Sequence, residues 1–389
     1  MNDKQLIWYE FFAGGGMARL GFGDAWKCAF ANEWCEKKAA AYTARFGVGD
    51  PPACPELKVE DVAKLTAADL PGEPDLIWGS FPCQDLSLAG KGAGLRGNRS
   101  GTFWPFWSLI QSLIDEGRAP RLVVIENVVG AITSHGGKDF LNLFRMVAEG
   151  DYLVGPMVMG ALHFLPQSRP RLFIVAARKG IVMPPELVSS WPSLAWHPKS
   201  LRRAWACLPT SLRSLWLWWN LPEPPVRETA LSDLIEDSPA GVDWHTQKET
   251  ERLMSLMSTI NRRKLIEAQS TGVRKVGTVY RRTRQDESGQ KIQRAEVRFD
   301  DVSGCLRTPV GGSSRQFVLI VEGKRVRSRL LSPREAARLM GVPEDYPLPD
   351  NYNDAYHLLG DGLVVPAVTW LDRHLLLKLA ASKALEEAA

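Results

Sequence analysis

The feature that most constrains this chain is a rhythm in its first ~180 residues: short apolar runs, each ending in glycine, acidic or other polar residues. Leu6–Phe11, Cys28–Ala31, the Asp75–Trp78 stretch, Leu122–Ile125 and Leu172–Ala176 are such runs, and Phe103–Asp115 and Phe140–Ala148 between them have helical apolar spacing. A strand apolar at every position must be buried on both faces, so a parallel sheet with helices on both faces is expected. Ligands of such sheets sit beyond the carboxyl ends of the strands. The residues just after each run are therefore where chemistry is sought.

The pattern changes near residue 180. Met183-Pro184-Pro185, Trp191-Pro192 and Glu223-Pro224-Pro225 punctuate the chain around a Trp-rich stretch (Trp205, Trp216, Trp218, Trp219). Gly272, Gly277, Gly289 and Gly311-Gly312 then mark turns between short strands. The reading is a first domain over 1–190, completed by an apolar, helically spaced segment over 355–389, and a smaller irregular domain over 191–354. From Arg262 to Arg338 there are 19 Lys and Arg against 8 Asp and Glu, in a chain whose net charge is only +4. That local excess fits a face that binds a polyanion; a solvated basic surface is the alternative.

Apolar residues make up 45% and charged residues 24% of the 389, as in ordinary globular proteins. No apolar run has transmembrane length, and the opening residues lack the charged head and apolar core of a signal peptide. A cytoplasmic protein is expected. The six cysteines, at 28, 35, 54, 83, 207 and 305, form no CxxC pair, so neither zinc nor a disulfide framework is expected.

Five places could carry chemistry. Phe12-Ala13-Gly14-Gly15-Gly16 follows the first run, where glycines let backbone approach a ligand at a helix N-terminus or simply make a turn. After the second run, Glu33 could hold ribose hydroxyls and Trp34 could stack on adenine or pack in the core, with Asp61-Val62 near the adenine edge. Cys83, in Pro82-Cys83-Gln84, is either a nucleophile activated by its surroundings or an inert thiol; the polar, Gly-rich stretch Ser87–Gly101 after it has the composition of a closing lid. Glu126-Asn127-Val128 offers a carboxyl whose pKa an apolar pocket would raise, or a surface acid. Finally, Arg169 and Arg171 in Gln167-Ser168-Arg169-Pro170-Arg171 could grip a carboxylate, a phosphate or a base oxygen, or form a surface ion pair.

In this order and spacing these segments resemble the DNA (cytosine-5) methyltransferase family. Arg329–Gly341 looks like the family's later arginine-rich motif, and Gly360–Pro366 like its closing motif. The resemblance implies a Rossmann-like methyltransferase sheet with a smaller target-recognition domain, S-adenosylmethionine as donor and double-stranded DNA as substrate. It implies that Cys83 adds to C6 of a flipped cytosine, that Glu126 contacts N3 and the exocyclic amine, and that Arg169 and Arg171 hold the base oxygen and position Cys83. It assigns Phe12, Ala13, Gly14, Gly16, Glu33, Trp34, Asp61, Val62, Pro82, Phe103, Asp361 and Gly362 to the cofactor. Gln84, Ser87, Arg99, Arg281, Arg282, Arg284 and Arg315 are assigned to DNA. No metal is expected; a monomer is, with any restriction endonuclease on a separate chain. Three departures stand out: Glu10 where the family usually has Asp, Met17 for a frequent glycine, and Asp361 where Asn is common. Asp361 lies at the methionine end of the family's cofactor and could alter its affinity or favour transfer of a modified group from an analogue.

Three rivals stand beside this reading, of which a dehydrogenase-like nucleotide binder, suggested by the glycine turn alone, leaves Cys83 and the basic second domain unexplained. An RNA cytosine-5 methyltransferase would be expected to carry a Cys-Phe-Thr tripeptide, which the chain lacks. A non-catalytic DNA-binding homologue would be expected to have lost Cys83, Glu126 or an arginine of the Gln167–Arg171 motif.

Overall fold

The computed structural model describes residues 5–82, 101–285, 288–308 and 315–383. Its first compact unit comprises 1–159, 170–224 and 366–389. Here β1 (Leu6–Phe11), α1 (Met17–Gly21), β2 (Trp26–Glu33), α2 (Glu36–Phe46), β3 (Leu57–Val59), β4 (Leu76–Gly79), α3 (Phe103–Asp115), β5 (Leu122–Val128), α4 (Lys138–Glu149), β6 (Tyr152–Gly160) and β7 (Pro170–Arg178) follow in order. They build a seven-stranded sheet of order β3-β2-β1-β4-β5-β7-β6.

The apolar runs form strands for the expected reason. Leu122, Val123, Val124 and Ile125 are all buried, with β4 and β7 on either side of β5. In α3 the buried residues Phe103, Phe106, Trp107, Ile110 and Leu113 recur at helical spacing and form one stripe. Pro105 is tolerated there because the first turn's N–H groups have no partner within the helix. The sheet is not wholly parallel: β7 runs antiparallel to β5, with Val128 opposite Arg171. Unbroken apolar patterning reports burial on both faces, not direction, which is why the sequence did not distinguish the two.

The Trp-rich stretch belongs to this unit, correcting the expected boundary at 190/191. Trp216 stacks on Phe144 at 5.2 Å, and Trp216 and Trp218 join the core cluster of the sheet. Within the stretch lie a two-stranded sheet, β8 (Val188–Ser189) with β9 (Trp218–Trp219), and the helices α5 (Lys199–Cys207) and α6 (Thr210–Arg213). At the end of the described chain Asp372 accepts a 2.7 Å hydrogen bond from the Trp26 indole, tying the closing helices to β2.

The second unit comprises 160–169 and 225–365. It holds α7 (Leu231–Leu234), α8 (Gln247–Ser255), α9 (Thr259–Ser270), the antiparallel sheet β11-β10-β12-β13, α10 (Pro333–Met340) and α11 (Tyr352–Asp361). The strands are β10 (Lys275–Gln285), β11 (Lys291–Arg298), β12 (Phe317–Glu322) and β13 (Arg325–Leu330). Leu253, Met257, Leu265 and Ala268 pack on Val279, Val297, Leu319 and Val321 as this unit's core. The segment up to Val365, assigned from the sequence to the first domain beginning at 355, also belongs here. Tyr356 bonds the backbone of Gln316 through its hydroxyl, and Gly360 and Gly362 are held by Arg169. Arg329 and Glu335 form a fully buried pair at 2.6 Å, with Glu335 also closing a capping box on Ser332. Among the described residues no helix is long and apolar enough to cross a membrane.

Candidate active site

In the first unit the carboxyl end of β2 organises the glycine turn. Asn32 accepts from the Ala13 backbone through its carbonyl (2.9 Å), and its side-chain amide donates to the carbonyls of Lys58 (3.1 Å) and Glu60 (2.8 Å). Asp61 is thereby held next to β2, where it caps a short 3-10 turn through Ala63 N–H (2.9 Å). Glu33 is buried, and its carboxylate accepts from Gly14 N–H (2.8 Å) and Cys35 N–H (2.9 Å). Trp34 is 73% exposed, so the core-packing reading of that residue fails. Val62 is buried in the core cluster, as are Phe81 and Phe103, while Pro82 is exposed.

Two glycines of the turn face opposite environments. Both have left-handed backbone, with φ of 57° at Gly14 and 75° at Gly16. A β-carbon on Gly14 would meet nothing within 4 Å, whereas one on Gly16 would lie 2.2 Å from Phe46 and 2.9 Å from Tyr42. Gly16 thus seats the turn on α2, and Gly14 leaves it open to a ligand. An anchored carboxylate, an exposed indole and an open glycine turn fit an adenosyl group: Glu33 retains lone pairs for ribose hydroxyls and Trp34 offers a ring face.

Beneath the turn lies a network that sequence reasoning missed. Glu10 is buried and accepts from the Tyr42 hydroxyl (3.3 Å); Arg19 donates to Tyr42 (3.1 Å) and Glu56 (2.7 Å). Burial pushes the Glu10 carboxyl up to about 8, partly opposed by Arg19. Burial likewise raises the Cys28 thiol to about 12 and Cys54 to about 11, so neither is a thiolate near neutral pH. The signal in the sequence was Glu10 itself, an acid inside an apolar strand.

Further along the same sheet, Glu126 sits near the end of β5 and is only 8% exposed. Its Oε1 lies 3.1 Å from Nε of Arg171. This differs from the expected apolar pocket, because the antiparallel β7 brings Arg171 opposite the end of β5. Asn127, quoted from the sequence but given no role, is buried; it donates to the Phe81 carbonyl (3.1 Å) and accepts from Val128 N–H (2.8 Å). It therefore fixes the backbone two residues before Cys83. Cys83, Gln84, Ser87 and Arg99 lie outside the described residues.

In the second unit Arg169 is buried and turned to the backbone of its own unit. Its guanidinium donates to the carbonyls of Leu306 (2.7 Å), Gly360 (2.9 Å) and Gly362 (2.7 Å). Directed at three backbone acceptors, it braces the C-terminal end of α11, where Asp361 and its cap Gly362 lie. Gln167 does similar work on Leu339 (2.6 Å) and Leu306 (3.1 Å). The exposed Asp361 accepts from the Thr308 hydroxyl. Nor do the expected DNA-contacting arginines form one set. Arg282 and Arg284 share Glu296, while Arg281 lies over the Phe317 ring on the other face of the sheet. Arg315 bonds Asn353 and lies 5.6 Å from the centre of the Tyr352 ring.

Comparison with known proteins agrees over nearly the whole chain. The family profile described as C-5 cytosine-specific DNA methylase matches residues 7–376. The chain is 22% identical to the Type II methyltransferase M.HpaII of Haemophilus parainfluenzae, across 97% of this chain and 90% of that protein. It is 23% identical to M.HhaI of Haemophilus parahaemolyticus, across 95% of each. In fold it is similar to Entamoeba histolytica methyltransferase EhMeth (TM-score 0.60, 13% identity, 97% of this chain and 99% of that one). It is also similar to the S. pombe Dnmt2 methyltransferase (TM-score 0.55, 16% identity, 96% and 98%).

Proposed function

This chain belongs to the C-5 cytosine-specific DNA methylase family and is a DNA (cytosine-5) methyltransferase, and from that premise we propose how its residues divide the reaction. The observation that carries the proposal is the Glu126–Arg171 pair at the end of β5, on the strand beside the one that leads to Cys83.

The target cytosine leaves the base stack, since C5 and C6 cannot be reached inside it. Cys83, as thiolate, adds to C6; the new C6–S bond moves electron density to C5, which alone is a poor nucleophile. Glu126 engages N3 and the exocyclic amine. Arg171, whose Nη1 donates to the Pro170 carbonyl at 3.0 Å, holds the base oxygen with its remaining N–H groups, and so couples base position to the carboxylate. After C5 is alkylated, loss of its proton and cleavage of the C6–S bond restore the aromatic ring and free Cys83. Asn127 positions Cys83 through the Phe81 carbonyl, and Arg169 acts as a positioning residue for the C-terminal end of α11 at Gly360–Gly362.

S-adenosylmethionine, the family's methyl donor, supplies an electrophilic sulfonium methyl. Within the first unit, Phe12–Gly16, Glu33, Trp34, Asp61 and Val62 would hold its adenosyl part, with Pro82 and Phe103 in the same set. The second unit, with its basic sequence from Arg262 to Arg338, would recognise duplex DNA. The enzyme acts as a monomer inside the cell, and any restriction endonuclease is a separate chain.

The test is methyl transfer from S-adenosylmethionine to a pool of random duplex DNA, followed by digestion to nucleosides and mass spectrometry. The wild-type chain yields 5-methylcytosine and the C83S variant none. Product at another ring position, or full turnover by C83S, refutes the assignment.

A further inference from the structure

The antiparallel sheet of the second unit is uneven in length. Strand β12 pairs with β10 only over Lys275–Val279, whereas β11 pairs with it from Thr278 to Gln285. Tyr280–Gln285 and Lys291–Glu296 therefore project beyond β12 as a two-stranded ribbon. Its two strand segments hold five cations (Arg281, Arg282, Arg284, Lys291, Arg294) against one acid, Glu296, and the sequence joining them adds Asp286 and Glu287.

Strand alternation divides these cations between two faces. Arg281, Thr283 and Gln293 share one face, Thr283 directly opposite Gln293. All three are exposed and line a concavity of about 870 Å³ with His245, Phe317 and Arg315. The Arg281 guanidinium lies 5.0 Å from the centre of the Phe317 ring, which His245 flanks at 5.7 Å. His245 is itself fixed by Ser328 at 2.9 Å. A guanidinium braced against a ring loses less freedom when its fork engages a planar acceptor pair. On the other face Arg282 and Arg284 are held by Glu296, at 3.4 and 2.9 Å.

A two-stranded ribbon fits the major groove, where arginine bonds guanine O6 and N7, glutamine bonds adenine, and the threonine methyl meets thymine. We propose that the β10–β11 ribbon enters the major groove of the substrate duplex and that Arg281, with Thr283 and Gln293, selects the bases of the target site. Arg282 and Arg284 contribute only sequence-independent attraction to phosphates. The proposal rests on the DNA methyltransferase reading and deepens it.

The experiment methylates a randomised duplex library with the full-length chain and S-adenosylmethionine, and reads modified cytosines and their flanks by sequencing. Wild type defines the site. R281A and R281K both lose discrimination at a guanine position, by roughly 5- to 150-fold; the lysine variant keeps the charge but lacks the fork. R284A methylates the wild-type site more slowly, with unchanged preference and a salt dependence shallower by about one in log–log slope. An R281A profile identical to wild type, with only a uniform loss of rate, makes Arg281 a phosphate contact and overturns the proposal. So does an altered site in R284A. No methylation by wild type overturns the methyltransferase reading itself, and this proposal with it.

Discussion

Replacing Gly14 or Gly16 of the turn by alanine separates the cofactor cradle from the packing beneath it. Both residues have left-handed φ, 57° at Gly14 and 75° at Gly16, so alanine costs about 1–2 kcal/mol at either. At Gly14 nothing else opposes the methyl group. At Gly16 the new β-carbon would lie 2.2 Å from Phe46 and 2.9 Å from Tyr42. Tyr42 is buried and Phe46 is half-buried against it, so moving the two rings adds about 1–3 kcal/mol of overpacking. G16A should therefore be the less stable variant by about that amount in urea unfolding. G14A should fold nearly as well as wild type yet bind S-adenosylmethionine at least about tenfold more weakly, measured by calorimetry, because its methyl enters the space the ligand needs. Equal stability of the two variants would refute the packing argument. Unchanged cofactor affinity in G14A would refute the cradle.

R171A removes the partner of a largely buried carboxylate, so it should cost up to about 3 kcal/mol of stability and lower kcat more than it changes cofactor affinity. E126Q should slow turnover with little effect on the cofactor Kd; an effect confined to the Kd would contradict its proposed role. The Glu10 carboxyl has a native pKa of about 8, above its ordinary 4.5. Its stabilising contribution is therefore full below the lower value and lost as pH rises through the higher. Wild type should lose stability relative to E10Q between about pH 5 and 8, by at most about 1.4 kcal/mol per pH unit, and parallel pH profiles would refute this. Affinity for duplex DNA should fall steeply between 50 and 200 mM salt, as it does on release of counterions from phosphates; a flat profile would remove the electrostatic role of the basic stretch.

The strands and helices around the site were legible because their apolar residues had one period each, as in Leu122–Ile125 and Phe103–Asp115. The positions after the strands were legible for the same reason, since strand ends fix where a ligand can sit. Pairings between distant segments were not. The sequence did not announce that β7 reverses direction and so delivers Arg171 to Glu126, nor that Arg169 spends its donors on backbone carbonyls far along the chain. The boundary at 190/191 failed because prolines mark turns whether or not the chain changes domain, while Trp216 and Trp218 pack back into the first core. Treating Arg281, Arg282 and Arg284 as one set overlooked the two-residue period that places Arg281 on the opposite face from the other two.

The central claim is that Cys83 attacks C6 of a cytosine in DNA. Duplex DNA carrying 5-fluorocytosine tests it most directly, because fluorine at C5 cannot leave as a proton does and the covalent link cannot resolve. With S-adenosylmethionine present, the account predicts a protein–DNA adduct stable on a denaturing gel. Mass spectrometry should place the link on Cys83 and show a methyl group on the trapped base, and C83S should give no adduct. An adduct through any other residue, or none on a library that the wild-type enzyme methylates when it carries ordinary cytosine, would contradict it.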